Sequence, residues 1–326
     1  MELTAHQSEF LLKDTDPSLR HGVLRDLLGR LEDDPEVVKA RQEIGQTGWA
    51  ARILEDQEPR GHWGMFRDRG EDLYVPKYIA TNWRLLVLSD LGMTVEDSRI
   101  ARATDLVFQY WETDKESVFG GEGSELCVTG NTARMMTRFG RGNDPRISRA
   151  LDWLVRTQKP DGGWHCWDSQ VGTLDCWEAL AAFAALRPGD RTERIRKSVE
   201  RGAAFYLDRG LLREIDGTSY APWHRLHYPT HYYYDLLVGL DTLTALGYGG
   251  DPRLRPALDE LRSKQNPDGT WNLDAVHPDL LPDDPYHPKP PMYPFLFEYP
   301  GMPSRWITYL ALRVFARVDG VPGATA

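Results

Sequence analysis

The sequence predicts an all-α fold in which helical hairpins repeat and close into a ring, and three observations carry that prediction. A short polar heptad recurs at intervals of about 100 residues, as QEPRGHW at Gln57 to Trp63, QKPDGGW at Gln158 to Trp164 and QNPDGTW at Gln265 to Trp271. Apolar stretches lying between these heptads stop at Gly92, Gly140, Pro188 and Gly247, spaced by 48, 48 and 59 residues, which is a helix-hairpin period. Within each stretch apolar residues fall at i, i+3, i+4 and i+7, the spacing of one helix face. More polar stretches starting at Ala101, Ile147 and Ile195 supply the partner helices.

In chain order, a first hairpin is expected from helices around Arg20 to Leu31 and Pro35 to Asp56. Inner helices then follow in YIATNWRLLVLSDLG, ELCVTGNTARMMTRFG, TLDCWEALAAFAALRPG and HYYYDLLVGLDTLTALG, and a last one in SRWITYLALRVFARVDG. Six hairpins of roughly 50 residues use the chain almost completely, so a single domain over 1–326 is expected. A hairpin in such an array leaves a face uncovered and must stack on its neighbours; six can close into a ring of inner and outer helices around a central cavity. The proline-rich segment 276–303 reads as a long irregular loop within this domain, either a lid or binding element or a wrap around the outside.

The heptad has a local task. Pro, Asp and Gly favour a tight turn, with the Asp bonding its own backbone and the Gly allowing a left-handed conformation. The Trp stacks on neighbouring helices while its N–H finds a partner, and the Gln reaches backbone groups of the adjacent unit.

Composition sets the outer limits. With 326 residues, 41% of them hydrophobic, the chain can bury a large core. A net charge of −10 and a pI near 5.4 argue against a nucleic-acid partner and favour apolar or weakly charged small molecules. The start, MELTAHQSEF, has neither a basic nor an apolar leader region, and no run of about 18 apolar residues occurs, so a cytoplasmic protein is expected. Peripheral membrane contact to collect an apolar substrate is compatible with this, and no obligate protein partner is evident. Three cysteines are too few for a disulfide framework and read as thiols or metal ligands.

The Gln-x-x-Asp-Gly-x-Trp units resemble the repeat of the squalene cyclase and protein prenyltransferase superfamily, whose members share an α/α toroid. Two copies are complete, and the first has Arg60 where the Asp would stand. The resemblance covers nearly the whole chain and is closest to single-toroid bacterial members, through CVTGN at Cys127 to Asn131 and the Trp-x-Cys of Trp164 to Cys166. It implies an isoprenoid-processing enzyme, either cyclising an isoprenoid chain in the cavity or transferring a prenyl group to a thiol with zinc. The chain departs from the pattern in lacking an Asp-x-Asp-Asp acid motif, since LEDD at Leu31 to Asp34 and LPDD at Leu281 to Asp284 have no leading Asp. Prenyltransferases also need a helical-repeat partner subunit, which this chain does not encode. In their catalytic subunits zinc is held by an Asp and a Cys starting one inner helix and a His starting the next. Asp175, Cys176 and His231 stand in that order here, although Asp175 and Cys176 are adjacent where the family has a residue between them.

Counting back from the stops, Cys127 lies 13 residues before Gly140 and Cys176 lies 12 before Pro188, so both are expected at the N-terminal end of an inner helix. Cys166 follows Trp164 in the loop feeding the Cys176 helix. A thiolate there is favoured by the helix macrodipole, and three cysteines with His231 or His165 make a tetrahedral Zn²⁺ set. Ordinary buried cysteines are the other reading.

A second constellation gathers between Trp223 and Asp235. One helix face through His231, Tyr234 and Asp235 would present a base, a phenol and a carboxylate, with Tyr232 and Tyr233 beside them. Those aromatic faces, with Trp167 and Trp306, suit an isoprenoid chain and a developing carbocation, although core packing is the alternative for the tyrosines. Asn131 and Arg134 lie one turn along the Cys127 helix, suited to a diphosphate or carboxylate; a surface Arg134 is the alternative. For cyclisation the acid must have its pKa raised by burial, with Asp175 or Asp235 as candidates. Rival readings are a polysaccharide lyase abstracting a proton with Tyr233, His231, Asn131 and Arg134, and a lipid-binding protein with structural zinc.

Overall fold

The computed structural model of the chain describes residues 3–112, 117–276 and 297–320. It is all-α and built of successive helical hairpins, the construction of an α/α toroid. The helices are α1 Ala5–Leu12, α2 Pro17–Gly22, α3 Pro35–Glu43, α4 Gly48–Glu55, α5 Thr81–Asp90, α6 Ser98–Tyr110, α7 Leu126–Met136, α8 Pro145–Arg156, α9 Glu178–Ala184, α10 Glu193–Asp208, α11 Leu236–Ala245, α12 Arg255–Ser263 and α13 Arg305–Val318. Among the described residues the named strands are one short antiparallel pair, Trp271–Asn272 with Pro303–Ser304. No described helix is long and apolar enough to cross a membrane.

Local sequence explains where these helices begin and end. Asp16, Asp34 and Asp144 each precede a proline at the first helical position, and each carboxylate accepts the backbone N–H two residues on, at 2.8, 2.8 and 2.9 Å. Capping carboxylate and pre-set proline φ act together there. The expected stops at Gly92, Gly140 and Gly247 adopt φ of 84°, 91° and 97°, a left-handed conformation that ends a helix at little cost only for glycine. Inner and outer helices differ as expected: α5 is buried on every side from Thr81 to Ser89, whereas α8 buries only the stripe Ile147, Ala150, Leu151 and Leu154.

Three expectations are corrected. The first hairpin is not two long helices: α2 continues through a π turn, Val23–Leu27, and the stretch from Pro35 is broken into α3 and α4 where Gln46 and Thr47 both turn back to the Glu43 carbonyl and Gly48 takes φ +74°. The helix expected to contain Cys176 begins only at Glu178, because the preceding residues are held in a bridge between Trp164 and Thr173. Likewise α11 begins at Leu236, with Asp235 as its cap and His231 at φ +47°, so no helix face carries His231, Tyr234 and Asp235 together. The proline-rich loop lies mostly outside the described residues, as does LPDD.

The described chain forms two compact units: the second is Trp49–Gly202, and the first comprises the residues before Trp49 and after Gly202. In the first unit, α13 packs on α1, α2 and the Val23–Leu27 turn as well as on α11. A half-buried polar network runs along that contact. Arg313 donates to Asp241 at 3.0 and 2.9 Å, to the Tyr309 hydroxyl at 2.8 Å and to Asp26 at 3.3 Å, and Arg317 donates to Asp241 at 2.7 Å. Both ends of the described chain are thereby tied together.

The three heptads share one geometry. The indole N–H of Trp63, Trp164 and Trp271 donates to the carbonyl ten residues earlier, Ile53, Leu154 and Leu261, at 2.8 Å in each case. Those carbonyls lie in the last turns of α4, α8 and α12, where the regular donor four residues on is missing; the Leu261 carbonyl also accepts the Lys264 N–H at 3.3 Å. Each turn is closed alike, with Gly61, Gly162 and Gly269 at φ 98°, 94° and 86°. The Gln amides of the first two copies also reach forward, Gln57 to the Arg99 carbonyl at 3.0 Å and Gln158 to the Ser198 carbonyl at 2.9 Å. In the third, Gln7 from α1 donates to Gly269 at 2.9 Å. Arg60 does not disturb the first copy, because the Gly61 N–H still reaches the Glu58 carbonyl at 2.8 Å.

Trp164 is fully buried and its indole lies on Gly202, whose added Cβ would come within 2.8 Å of the ring. Truncation of Trp164 to Ala should therefore cost about 3 to 5 kcal/mol, measured by urea denaturation; a cost under about 0.5 kcal/mol, as at exposed positions, would contradict its role as a clasp.

Candidate functional site

The second unit concentrates polar chemistry on its buried helices. Helix α7 buries Thr129, Asn131, Thr132 and Arg134, and α9 opens with Glu178, which is 1% exposed. The two helices meet at Gly130: a Cβ there would stand 2.7 Å from the Glu178 Cβ and 2.8 Å from its carbonyl carbon. Only glycine lets α7 come this close, and the approach seats Glu178 against the helix that carries Cys127, Asn131 and Arg134.

The three cysteines, all free, gather at the N-terminal ends of these helices. Cys127 lies in the first turn of α7, Cys176 lies just before α9, and Cys166 lies in the intervening loop with its sulfur 3.7 Å from that of Cys176. Hydrogen bonds from Cys127 and then Cys176 hold the Cys166 thiol well below the usual thiol range, while the same bonds push the two donor thiols up. The charge at this group is set by the three sulfurs together and not by Cys166 alone.

Glu178 answers that charge. Burial first, then the negative charge on Cys166, push its carboxyl well above 4.5, against the opposing pull of Arg134. Its Oε2 has no hydrogen-bond partner among the described residues. Aromatic rings stand around the group: the Arg134 guanidinium carbon lies 4.9 Å from the Trp177 ring, and Tyr74 packs on Trp83 at 4.7 Å between centroids. The Tyr74 phenol is raised by burial and then by the charges of Cys127, Glu125, Glu178 and Cys166. Burial and the nearby sulfur charge thus favour the protonated carboxyl over the charged one.

The sequence-derived candidates divide as follows. Asn131 and Arg134 are buried on α7, which excludes a surface Arg134. Asp175 is exposed, and the buried carboxyl beside it is Glu178, three residues on. Trp167 is 79% exposed, and its N–H donates to His165 Nδ1 at 3.0 Å. The separation of the Cys166 and Cys176 sulfurs matches the edge of a tetrahedral zinc site, about 3.8 Å for Zn–S bonds near 2.3 Å. Among the described residues, however, no group of three or more His, Cys, Asp or Glu is arranged to hold a metal ion.

The other candidates lie in the first unit. Asp235 caps α11 through Val238 N at 2.8 Å and also accepts from His227, at 3.0 Å from its N–H and 2.6 Å from Nδ1. His227 and Asp235 are both buried, and His227 Nε2 has no partner among the described residues. Tyr233 stands edge-on to the His227 ring, stacks on Tyr232 at 4.4 Å between centroids, and shares a hydroxyl contact with it at 3.0 Å. Tyr234 turns away into the core, where its hydroxyl donates to the Leu211 carbonyl at 2.8 Å. His231 and Trp306 are buried, Trp306 against Tyr228 at 5.0 Å. Sequence reasoning passed over Glu178 and the His227–Asp235 pairing. Glu178 had a signal, a single charge inside the apolar run CWEALAAFAAL; the pairing had none, because it depends on where α11 begins.

No protein-family model matches the chain, and no curated protein does. Among solved structures, the chain is similar to the type II terpene cyclase MstE from Scytonema, at 18% identity over 98% of this chain and 97% of that one, with a TM-score of 0.47. A polysaccharide lyase is 10% identical over 94% of this chain and 90% of its own, with a TM-score of 0.49. A glycosyl hydrolase of family 88 from Bacteroides vulgatus is 12% identical over 97% and 94%, also with a TM-score of 0.49. Three different chemistries carry these names, and the chemistry of this site rests on its own residues.

A carboxyl raised by folding keeps a proton that the unfolded chain releases near its ordinary value of 4.5. Folding stability therefore falls as pH rises from that value toward the folded one. Glu178→Gln keeps the shape and the neutral form but has no proton to lose. In urea titrations the variant should gain on the parent as pH rises from about 4, near the free carboxyl value, to about 8; equal pH dependence of the two proteins would show that Glu178 is ionised in the fold.

Proposed function

We propose that the chain is an enzyme that protonates an alkene of an isoprenoid chain and so starts its cyclisation, with Glu178 as the general acid. The observation that carries this reading is a fully buried carboxyl, in which burial and then negative charge on Cys166 favour the protonated form, with one oxygen unpartnered among the described residues. An acid able to protonate an alkene must carry its proton at working pH and be screened from water, and burial supplies both. In the reaction the Glu178 O–H proton adds to one alkene carbon, the other becomes a tertiary cation, and the next alkene attacks it to form a ring bond. Loss of a proton from the last cation completes the charge balance. Trp177 supports the cationic stage, since its ring already holds the Arg134 guanidinium and would attract a carbocation in the same way. Asn131 and Arg134 serve to orient the polar end of the substrate. No step is routed through zinc.

The full chain, incubated with squalene or geranylgeranyl diphosphate in deuterated buffer, should give a cyclic product carrying one deuterium, read by mass spectrometry. Glu178→Gln should lower the rate by about 100-fold or more, the usual weight of a general acid, while Glu178→Asp retains part of it. An unchanged rate in Glu178→Gln would remove the acid, and activity on a uronate polymer with none on prenyl substrates would move the protein to the lyase class.

A further inference from the structure

We propose that Cys166 and Cys176 form a peroxide-reactive dithiol, in which Cys166 attacks a hydroperoxide and Cys176 closes the product to a disulfide. The inference stands whether or not Glu178 is the acid. Its basis is geometric. The two sulfurs are in contact at 3.7 Å, and a disulfide needs them about 1.7 Å closer, at a bond length near 2.05 Å. The loop joining them is pinned across its base by Thr173 N donating to the Trp164 carbonyl at 2.9 Å, so the thiols are held side by side. Their exposures differ in the useful sense: Cys166 is half-buried and reachable, whereas Cys176 is 4% exposed and shielded from everything but its neighbour.

The neighbours suit these roles. The thiolate is the form that reacts with peroxides, and Cys166, the more exposed of the two contacting sulfurs, is the one a peroxide can reach. The thiolate attacks the terminal oxygen of the peroxide and the O–O bond breaks. The leaving oxygen takes a proton from solvent to give an alcohol or water, and Cys166 becomes a sulfenic acid, oxidised by two electrons. Cys176 then loses its proton and attacks the Cys166 sulfur; the S–S bond forms, the S–O bond breaks and water leaves. Two thiols and one hydroperoxide become one disulfide, one alcohol and one water, and a dithiol reductant reverses the change.

The full chain, prepared without chelator and treated with hydrogen peroxide at a small molar excess, should lose two of its three free thiols. Peptide mass mapping should place the link between Cys166 and Cys176, and dithiothreitol should restore all three. In Cys176→Ser, which removes the resolving sulfur alone, dimedone should trap a sulfenic acid at Cys166. A link from Cys166 to Cys127, oxidation of Cys166 directly to sulfinic acid with Cys176 present, or no reaction of any thiol would overturn the assignment. So would one bound zinc per chain with all three thiols protected until the metal is removed.

Discussion

The structure depends first on a hydrogen bond that a helix cannot make for itself. Carbonyls in the last turn of a helix have no donor above them. In α4, α8 and α12 one of these is met by an indole N–H from the tryptophan ten residues on. The ring that brings the donor is itself buried, so one residue both ends an outer helix and fills the space beneath it. In the first two copies the glutamine binds its own turn and a carbonyl of the following outer helix. The heptad therefore joins consecutive hairpins through backbone groups, whatever side chains the helices between carry.

That freedom is used on the inner helices. Helices α5, α7 and α9 are buried on nearly every side, yet they carry Asn82, Arg84, Asn131, Arg134 and Glu178. An apolar core gains nothing from such residues. They can be held because the hairpins are fixed elsewhere, and because Gly130 brings α7 and α9 close enough for the charges of Arg134, Glu178 and Cys166 to act on one another. Cys166 and Glu178 act on each other: charge on that sulfur favours the proton on the carboxyl, and a charged carboxyl pushes the neighbouring thiols up.

Much of the fold was legible in the sequence, for physical reasons. Helix stops at Gly92, Gly140 and Gly247 could be read because a left-handed residue after a helix favours glycine, and the clasps could be read because their turn needs a small set of residues. The place of Cys127 in the first turn of its helix could be read from its distance to Gly140. Helix starts were less legible. Asp235 looks like one more residue of an aromatic stretch and is in fact a cap, and that shift removes His231 and Tyr234 from the helix and gives Asp235 to His227. Burial was least legible: Asp175 and Glu178 are carboxylates three residues apart, and only the close approach at Gly130 decides that the second is inside and the first outside.

The contact of α13 with α1 and α2 has a consequence for how order is lost. A linear array of repeats melts from its ends, because each terminal repeat has a neighbour on one side only and opens without disturbing the rest. Here the first and last helices cover each other, and Asp26 and Asp241 share Arg313 beneath them. Neither terminus is then a weak edge. Fraying at one end must break half-buried ion pairs that also hold the other, so the helices of that unit are bound to lose their order together.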